Sequence, residues 1–171
     1  ADGGQDFSEP ALSTINLIPV DIAANATGSE LVLSHAYELF NGSGANVKVS
    51  LDDGRTWSVL EPDGGYGSVL SLSDDHAMNG QRGFSGVISD VQDIIFPLYD
   101  FAGEQIRIRL DFGTTRELFT SESWNIESII VNQATGDNVF DIARTLELLS
   151  NYPNPFQNAT RVGYSIPEDG H

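Results

Sequence analysis

The sequence predicts an all-β protein, an antiparallel jelly-roll-like β-sandwich with a C-terminal strand extension. Short stretches alternate apolar and polar residues at the two-residue period of a strand, and turns rich in Gly, Asn and Asp separate them. No stretch carries a sustained helical stripe, so sheets must pack on sheets. The chain has 171 residues, 40% of them hydrophobic and 19% charged, which is enough apolar material for a folded core.

The strand pattern is clearest in four stretches, residues 31–39, 47–51, 106–110 and 124–131. In 47–51, Lys48 and Ser50 separate the apolar residues, which predicts one buried and one solvent-exposed face. The stretch 124–131 is apolar on both faces, which predicts a central strand covered on both sides.

Two further segments organise the chain. Residues 64–86 are polar and rich in Gly, Ser and Asp, so we expect an extended surface loop of the kind that often carries function. Two prolines in 151–156 interrupt regular structure, which predicts a sandwich over 1–148 and a linker with one further strand over 149–171. Residues 139–150 fit a helix or a strand leading out of the core.

Charge and cysteine content exclude several classes of function. The chain has 25 acidic and 8 basic residues, a formal charge of −17, which argues against binding nucleic acid or an anionic membrane surface. No apolar run reaches the ~20 residues of a membrane-spanning helix. Because the chain has no cysteine, disulfides and thiolate metal sites are excluded. Residues 1–5 are polar and typical of a chain whose secretion signal has been removed, which predicts a secreted or cell-surface protein.

One turn has a defined sequence pattern, Ser-x-Asp-x-Gly-x-Thr-Trp, in which the defined positions are Ser50, Asp52, Gly54, Thr56 and Trp57. This is the Asp-box pattern. The Asp side chain can accept hydrogen bonds from the turn's own N–H groups, and the Gly can adopt the positive φ that the turn needs. We interpret it as a structural hairpin, away from any active site.

The Asp-box and its preceding strand resemble the jelly-roll modules of bacterial secreted metallopeptidases of the immune-inhibitor-A type. Residues 98–109 and 124–131 are similar to two further elements of that family, so the resemblance covers roughly 17–131. It implies a MAM-like, non-catalytic β-sandwich that serves in adhesion, glycan contact or domain packing. The family has an aspartate where Glu127 stands, at a position associated with its calcium site.

The tail carries a second resemblance. Residues 149–160, with the core Tyr-Pro-Asn-Pro-Phe, are similar to the start of the C-terminal sorting domain of bacterial type IX secretion substrates. That domain is Ig-like and continues further than this chain. The alternating residues Val162, Tyr164 and Ile166 predict its first strand. Because a lone strand edge seeks a sheet to join, we expect these residues to take part in strand exchange with a neighbouring subunit. The alternative is that the rest of the sorting domain is simply missing.

Catalytic patterns are absent, and metal candidates are few. The histidines form neither a zinc-binding spacing nor part of a nucleophile elbow. His35 lies in an apolar strand, and we interpret it as a hydrogen-bonded core residue. His76 lies beside Asp74 and Asp75, the one candidate for a weak metal site. The prediction is therefore no cofactor, with Ca²⁺ left open.

Two functions are favoured over a third, a free-standing enzyme with paired carboxylates in a cleft, which the sequence neither shows nor forbids. The first is a non-catalytic extracellular protein that acts through protein–protein contacts, as a structural subunit assembling through its C-terminal strand. The alternative is a carbohydrate-binding accessory module of a secreted hydrolase or peptidase. Sugars stack on exposed aromatic rings, and Tyr66, Phe84 and Tyr99 are the candidate contacts.

Overall fold

The computed structural model describes residues 11–40, 43–72, 76–114, 122–133, 144–152 and 161–165, the last two ranges by their backbone alone. These residues form an antiparallel β-protein, which confirms the predicted fold class. The strands are, in chain order, β1 (Ala11–Asn16), β2 (Val20–Asp21), β3 (Glu30–Leu39), β4 (Gly44–Ser50), β5 (Ser58–Val59), β6 (Ser68–Val69), β7 (Arg82–Gly83), β8 (Gly86–Pro97), β9 (Gln105–Thr114), β10 (Ser123–Asn132), β11 (Arg144–Tyr152) and β12 (Arg161–Ser165). No helix in these ranges is long and apolar enough to cross a membrane.

The strands form two main sheets. The first has the order β1-β9-β4-β5, with β2 also paired to β9, and the second has the order β12-β11-β10-β3-β8. One apolar cluster takes Val47 and Ile108 from the first sheet and Leu33 and Ile129 from the second. Because a single core contains side chains of both sheets, the sheets face each other as a sandwich.

Simple alternation predicts β3 and β9 correctly. In β3 the positions from Leu31 to Leu39 that the pattern assigned to the core are buried, including His35. In β9 the residues Ile106, Ile108 and Leu110 are buried, whereas Arg107 and Arg109 are partly exposed. Each strand thus presents one face to the core, as the period-two pattern requires.

The prediction of a solvent-exposed face on β4 is wrong. Lys48 is 5% exposed and Ser50 is 2% exposed, so both faces of this strand are buried. A segment that lies downstream in the chain contacts the outer face of β4. Its contacts include two hydrogen bonds that the Asn46 amide donates, to Gln81 Oε1 (3.1 Å) and to the Arg82 carbonyl (3.0 Å).

That covering segment is part of residues 64–86, the predicted surface loop. It contains the short pair β6 and β7, which forms a two-stranded sheet of its own. Leu70, Leu72 and Met78 form a second small apolar cluster. The segment is therefore a packed cover on the first sheet, and the described part of it is not an extended loop.

β10 is central, but it is not covered on both sides. It lies between β11 and β3 in the second sheet. Asn125 and Glu127 are exposed, so its outer face meets solvent. β11 continues to Tyr152 and thus spans the position of the predicted boundary at 148, and residues 144–150 are strand rather than helix.

Candidate functional site

Two of the three candidate sugar-contact residues lie in the core. Tyr66 is 3% exposed and Phe84 is 8% exposed, and their rings pack edge to face with centroids 4.8 Å apart. The Tyr66 hydroxyl accepts from the Val47 N–H (3.0 Å) and donates to the Leu60 carbonyl (3.0 Å). Burial raises the pKa of Tyr66. Because a buried ring has no face to offer a sugar, the expectation is wrong for these two residues.

Tyr99 is the remaining candidate for sugar contact. It is 53% exposed and begins a 3₁₀ turn, Tyr99–Phe101. Among the large apolar side chains that are exposed in the described ranges, it is the one aromatic. Among the described residues, Tyr99 is therefore the one candidate ring left for the carbohydrate-binding alternative.

His35 lies at the centre of an aromatic cluster. Its Nδ1 accepts a hydrogen bond from the Trp124 indole N–H (2.8 Å), which assigns the imidazole proton to Nε2. Phe84 packs edge to face on the imidazole with centroids 4.6 Å apart. Nε2 has no hydrogen-bond partner among the described residues. Desolvation lowers the pKa of His35 to about 4, so the ring is neutral at pH 7. It is a structural core residue.

A buried ion cluster joins β4 to β9 on the outer side of the first sheet, and the sequence pattern did not predict it. Lys48 Nζ lies 2.8 Å from Asp111 Oδ2, and Arg109 Nε lies 2.7 Å from Asp111 Oδ1. Arg109 also lies over the Trp57 ring, 4.4 Å from its centroid. Lys48 is the only lysine of the chain, and its placement inside an apolar strand was the available signal. Both cations pair with the one carboxylate of Asp111 and lie within the fold, which is typical of a structural tie.

The turn from Ser50 to Trp57 is held by a dense set of local hydrogen bonds. Asp52 accepts from the Thr56 N–H (2.8 Å), the Thr56 hydroxyl (2.7 Å) and the Ser50 hydroxyl (2.8 Å). The Thr56 hydroxyl makes the largest contribution to lowering the pKa of Asp52 to about 2. Gly54 has φ +86°, and its carbonyl accepts from the Trp57 indole (3.0 Å). Each polar group of the motif is thus engaged within the turn.

An open groove of about 340 Å³ lies beside this turn. Its charged lining residues are Asp52, Asp53, Arg55, Glu104 and Arg107. Arg107 Nη2 is 2.6 Å from Asp53 Oδ1, so one of its two cations is already paired. Asp52 is ionised across the physiological range and has no proton to give as a general acid. The groove therefore presents a mixed polar surface with both acidic and basic side chains.

Glu122 is the one described carboxyl group whose pKa is raised, and burial is the cause. Its two oxygens accept from the Phe40 N–H (3.1 Å) and the Ser43 hydroxyl (2.7 Å). These bonds tie Glu122 to the end of β3 and the start of β4. The role that the contacts support is structural.

The predicted metal candidates are only partly described. His76 is buried, and its Nδ1 accepts from the Met78 N–H (3.1 Å). Asp74 and Asp75 lie outside the described residues. Within the described ranges no group of three or more His, Asp or Glu side chains is placed to hold a metal ion.

The C-terminal strands are attached to the sandwich over a short length, and we call β11 and β12 together the tail pair. β10 pairs with β11 at Arg144, Thr145 and Leu146, and β12 pairs with β11 from Glu147 onward. No described residue of β11 is therefore flanked by strands on both sides. A two-stranded ribbon of this kind is marginally stable on its own, so a further strand beside it is favourable. Val162 and Tyr164 lie on β12, and Ile166 lies outside the described residues.

The chain matches no protein-family model and no curated protein.

Proposed function

We propose that this chain is a non-catalytic protein, secreted or displayed on the bacterial cell surface, that acts through protein–protein contacts as a self-assembling structural subunit. The observation that carries the proposal is the short attachment of the tail pair, which leaves β12 with one strand neighbour in the described part of the chain. Backbone N–H and C=O groups on the other side of β12 are available to a strand of another molecule.

Separate observations support the proposed secretion of the protein and the proposed absence of catalysis. The Tyr-Pro-Asn-Pro-Phe segment at 152–156 supports export by type IX secretion. Three groups of the described ranges have a strongly shifted pKa. His35 and Tyr66 are buried and engaged in the core. Asp52 lines the groove, but its pKa is lowered, first of all by the Thr56 hydroxyl of its own turn, which holds it as an ionised turn residue.

Removal of the tail tests the proposal. The full chain is expected to form assemblies in light scattering and electron microscopy, and a variant without residues 151–171 is expected to be monomeric. An unchanged oligomeric state after deletion would contradict the proposal. Circular dichroism and thermal unfolding establish that the truncated sandwich remains folded.

A point substitution provides a matched comparison within the full chain. Tyr164→Pro removes a strand donor from β12 and should disperse the assemblies, because proline is not tolerated where a strand is paired on both sides. Tyr164→Val keeps the donor and the β-propensity, and it should assemble like the natural chain. Retention on insoluble polysaccharide by the monomeric form would instead favour the carbohydrate-binding alternative.

A further inference from the structure

In the described part of the chain, β1 is an edge strand that has neither a charged side chain nor a bulge to oppose strand addition. It pairs with β9 over six consecutive residues with no register shift. Residues 11–20 contain no charged side chain, although 19% of the chain is charged. The exposed aliphatic side chains Leu12 (42%) and Ile18 (38%) lie in this segment. An uncharged, regular edge with exposed apolar side chains is a template for another strand.

The hydrogen bonds show which groups of β1 face outward. The Leu17 N–H donates to the Ile108 carbonyl of β9 (2.9 Å). Because backbone groups point to alternate sides along an antiparallel strand, the odd-numbered residues of β1 pair with β9. The N–H and C=O groups of Leu12, Thr14 and Asn16 therefore point to the open side, where no described strand lies.

The other long edge, β8, is protected in three ways. Its pairing with β3 shifts register between His35 and Tyr37, which marks a bulge. Its exposed residues include Asp90 and Asp93. The Ile95 carbonyl already accepts from the Asp63 N–H (2.7 Å). A strand that approached β8 would meet negative charge, an irregular backbone and an occupied acceptor.

The remaining edges of the described part are also poor templates. β5 has two residues. The part of β10 beyond its pairing with β11 has a register shift between Ile126 and Ser128, and it carries the exposed Glu127. Among the sandwich edges β5, β8, the unpaired part of β10 and β1, the best template for another strand is β1.

We propose that the open edge of β1 accepts β12 of a second copy of this chain. The inference rests on the proposed function and adds which strand edge accepts the tail of the neighbouring copy. The low charge of the tail favours β12 as the strand that is donated. Residues 148–160 are uncharged, and the only charged residue of β12 is Arg161. On a chain with a net charge of −17, an uncharged edge and a strand with one positive charge can approach another copy with the least repulsion. Because donor and acceptor lie on different sheets, the contact is head-to-tail, and repetition gives an open filament unless the rotation closes a ring.

Thr14→Pro is the sharpest test, because it removes an outward N–H from β1 and leaves the ladder with β9 intact. Thr14→Val is the matched control, since it retains the N–H. We expect Thr14→Pro to raise the protein concentration needed for assembly about tenfold, the effect of ~1.4 kcal/mol per contact. Thr14→Val should assemble like the natural chain, and equal thermal unfolding midpoints would show that both variants are folded.

The outcomes separate the inference from the proposed function. If Thr14→Pro assembles as well as the natural chain while the 151–171 deletion does not, β1 is not the acceptor and self-assembly through the tail stands. If the natural chain is monomeric at every concentration and salt level, the proposed function fails and the inference fails with it.

Cross-linking provides a second measurement, because the chain has no cysteine. Thr14→Cys and Tyr164→Cys proteins are mixed and treated with a short bis-maleimide. A cross-linked heterodimer is expected. Val91→Cys on the exposed outer side of β8 is the matched control, which should give little product with Tyr164→Cys. Equal yields at β1 and β8 would overturn the assignment.

Discussion

His35 makes the folded state sensitive to acid at the scale of a single residue. Its pKa is about 4 in the folded chain, against 6.5 for an accessible histidine. Between these values the unfolded chain binds a proton that the folded chain does not, so stability falls as the pH is lowered through this window. The full difference corresponds to about 3 kcal/mol in the free energy of unfolding.

We expect His35→Gln to lose this pH dependence, because a Gln side chain can accept from the Trp124 indole and does not titrate. The free energy of unfolding of both proteins, measured by urea denaturation from pH 7 to pH 4, should differ by a pH-dependent amount of about 3 kcal/mol. Parallel pH curves would show that protonation of His35 does not contribute. The other titratable groups are common to both proteins and cancel in the comparison.

At the scale of elements, three glycines allow the segment 64–86 to pack closely on the first sheet. A Cβ atom on Gly44 would meet the flexible Leu70 side chain, and one on Gly113 would meet His76 Cε1 at 2.6 Å. A Cβ atom on Gly83 would lie 2.7 Å from the Ala45 carbonyl oxygen, which is backbone and cannot rotate away. The cover therefore depends most strictly on Gly83.

Gly83→Ala should destabilise the chain by about 1–3 kcal/mol, the usual effect of overpacking a tight contact. Gly67→Ala is the matched control in the same segment, because a Cβ atom there would meet nothing within 4 Å. It should be neutral or slightly stabilising, since alanine restricts the unfolded chain. Urea denaturation midpoints measure both effects, and equal midpoints would refute the close-packing argument.

The strands also show which parts of the fold can be predicted from sequence patterns. Alternation alone predicts β3 and β9, because each has one face on the core. It fails at β4, because Asn46 is contacted by Gln81 and Arg82, which come later in the chain, and Lys48 pairs with Asp111 on another strand. Burial of Tyr66 and Phe84 is equally long-range: their neighbours in sequence are glycine and serine, and only the fold brings Val47 and Leu60 to the Tyr66 hydroxyl. The Tyr-Pro-Asn-Pro-Phe segment of the tail can be seen in the sequence. The open edge of β1 can be identified only when the pairing of the strands is known.

At the scale of the whole molecule, the net charge of −17 opposes any association of copies, while the proposed contact itself is nearly uncharged. Salt should therefore promote assembly. Raising NaCl from about 10 mM to about 100 mM shortens the Debye length from about 30 Å to about 10 Å, which screens repulsion between distant charges and leaves backbone hydrogen bonds unchanged. Assembly held by ion pairs would respond in the opposite direction.

Light scattering at fixed protein concentration over this salt range is the measurement, with the 151–171 deletion as the control for non-specific association. We expect assembly of the full chain to increase with NaCl and the deletion to remain monomeric. CaCl₂ at matched ionic strength distinguishes screening from a specific cation. Equal effects of the two salts are expected from screening alone, because the described residues offer no cation cage. A much larger effect of Ca²⁺ would contradict the screening argument and would indicate that calcium bridges acidic groups of neighbouring copies.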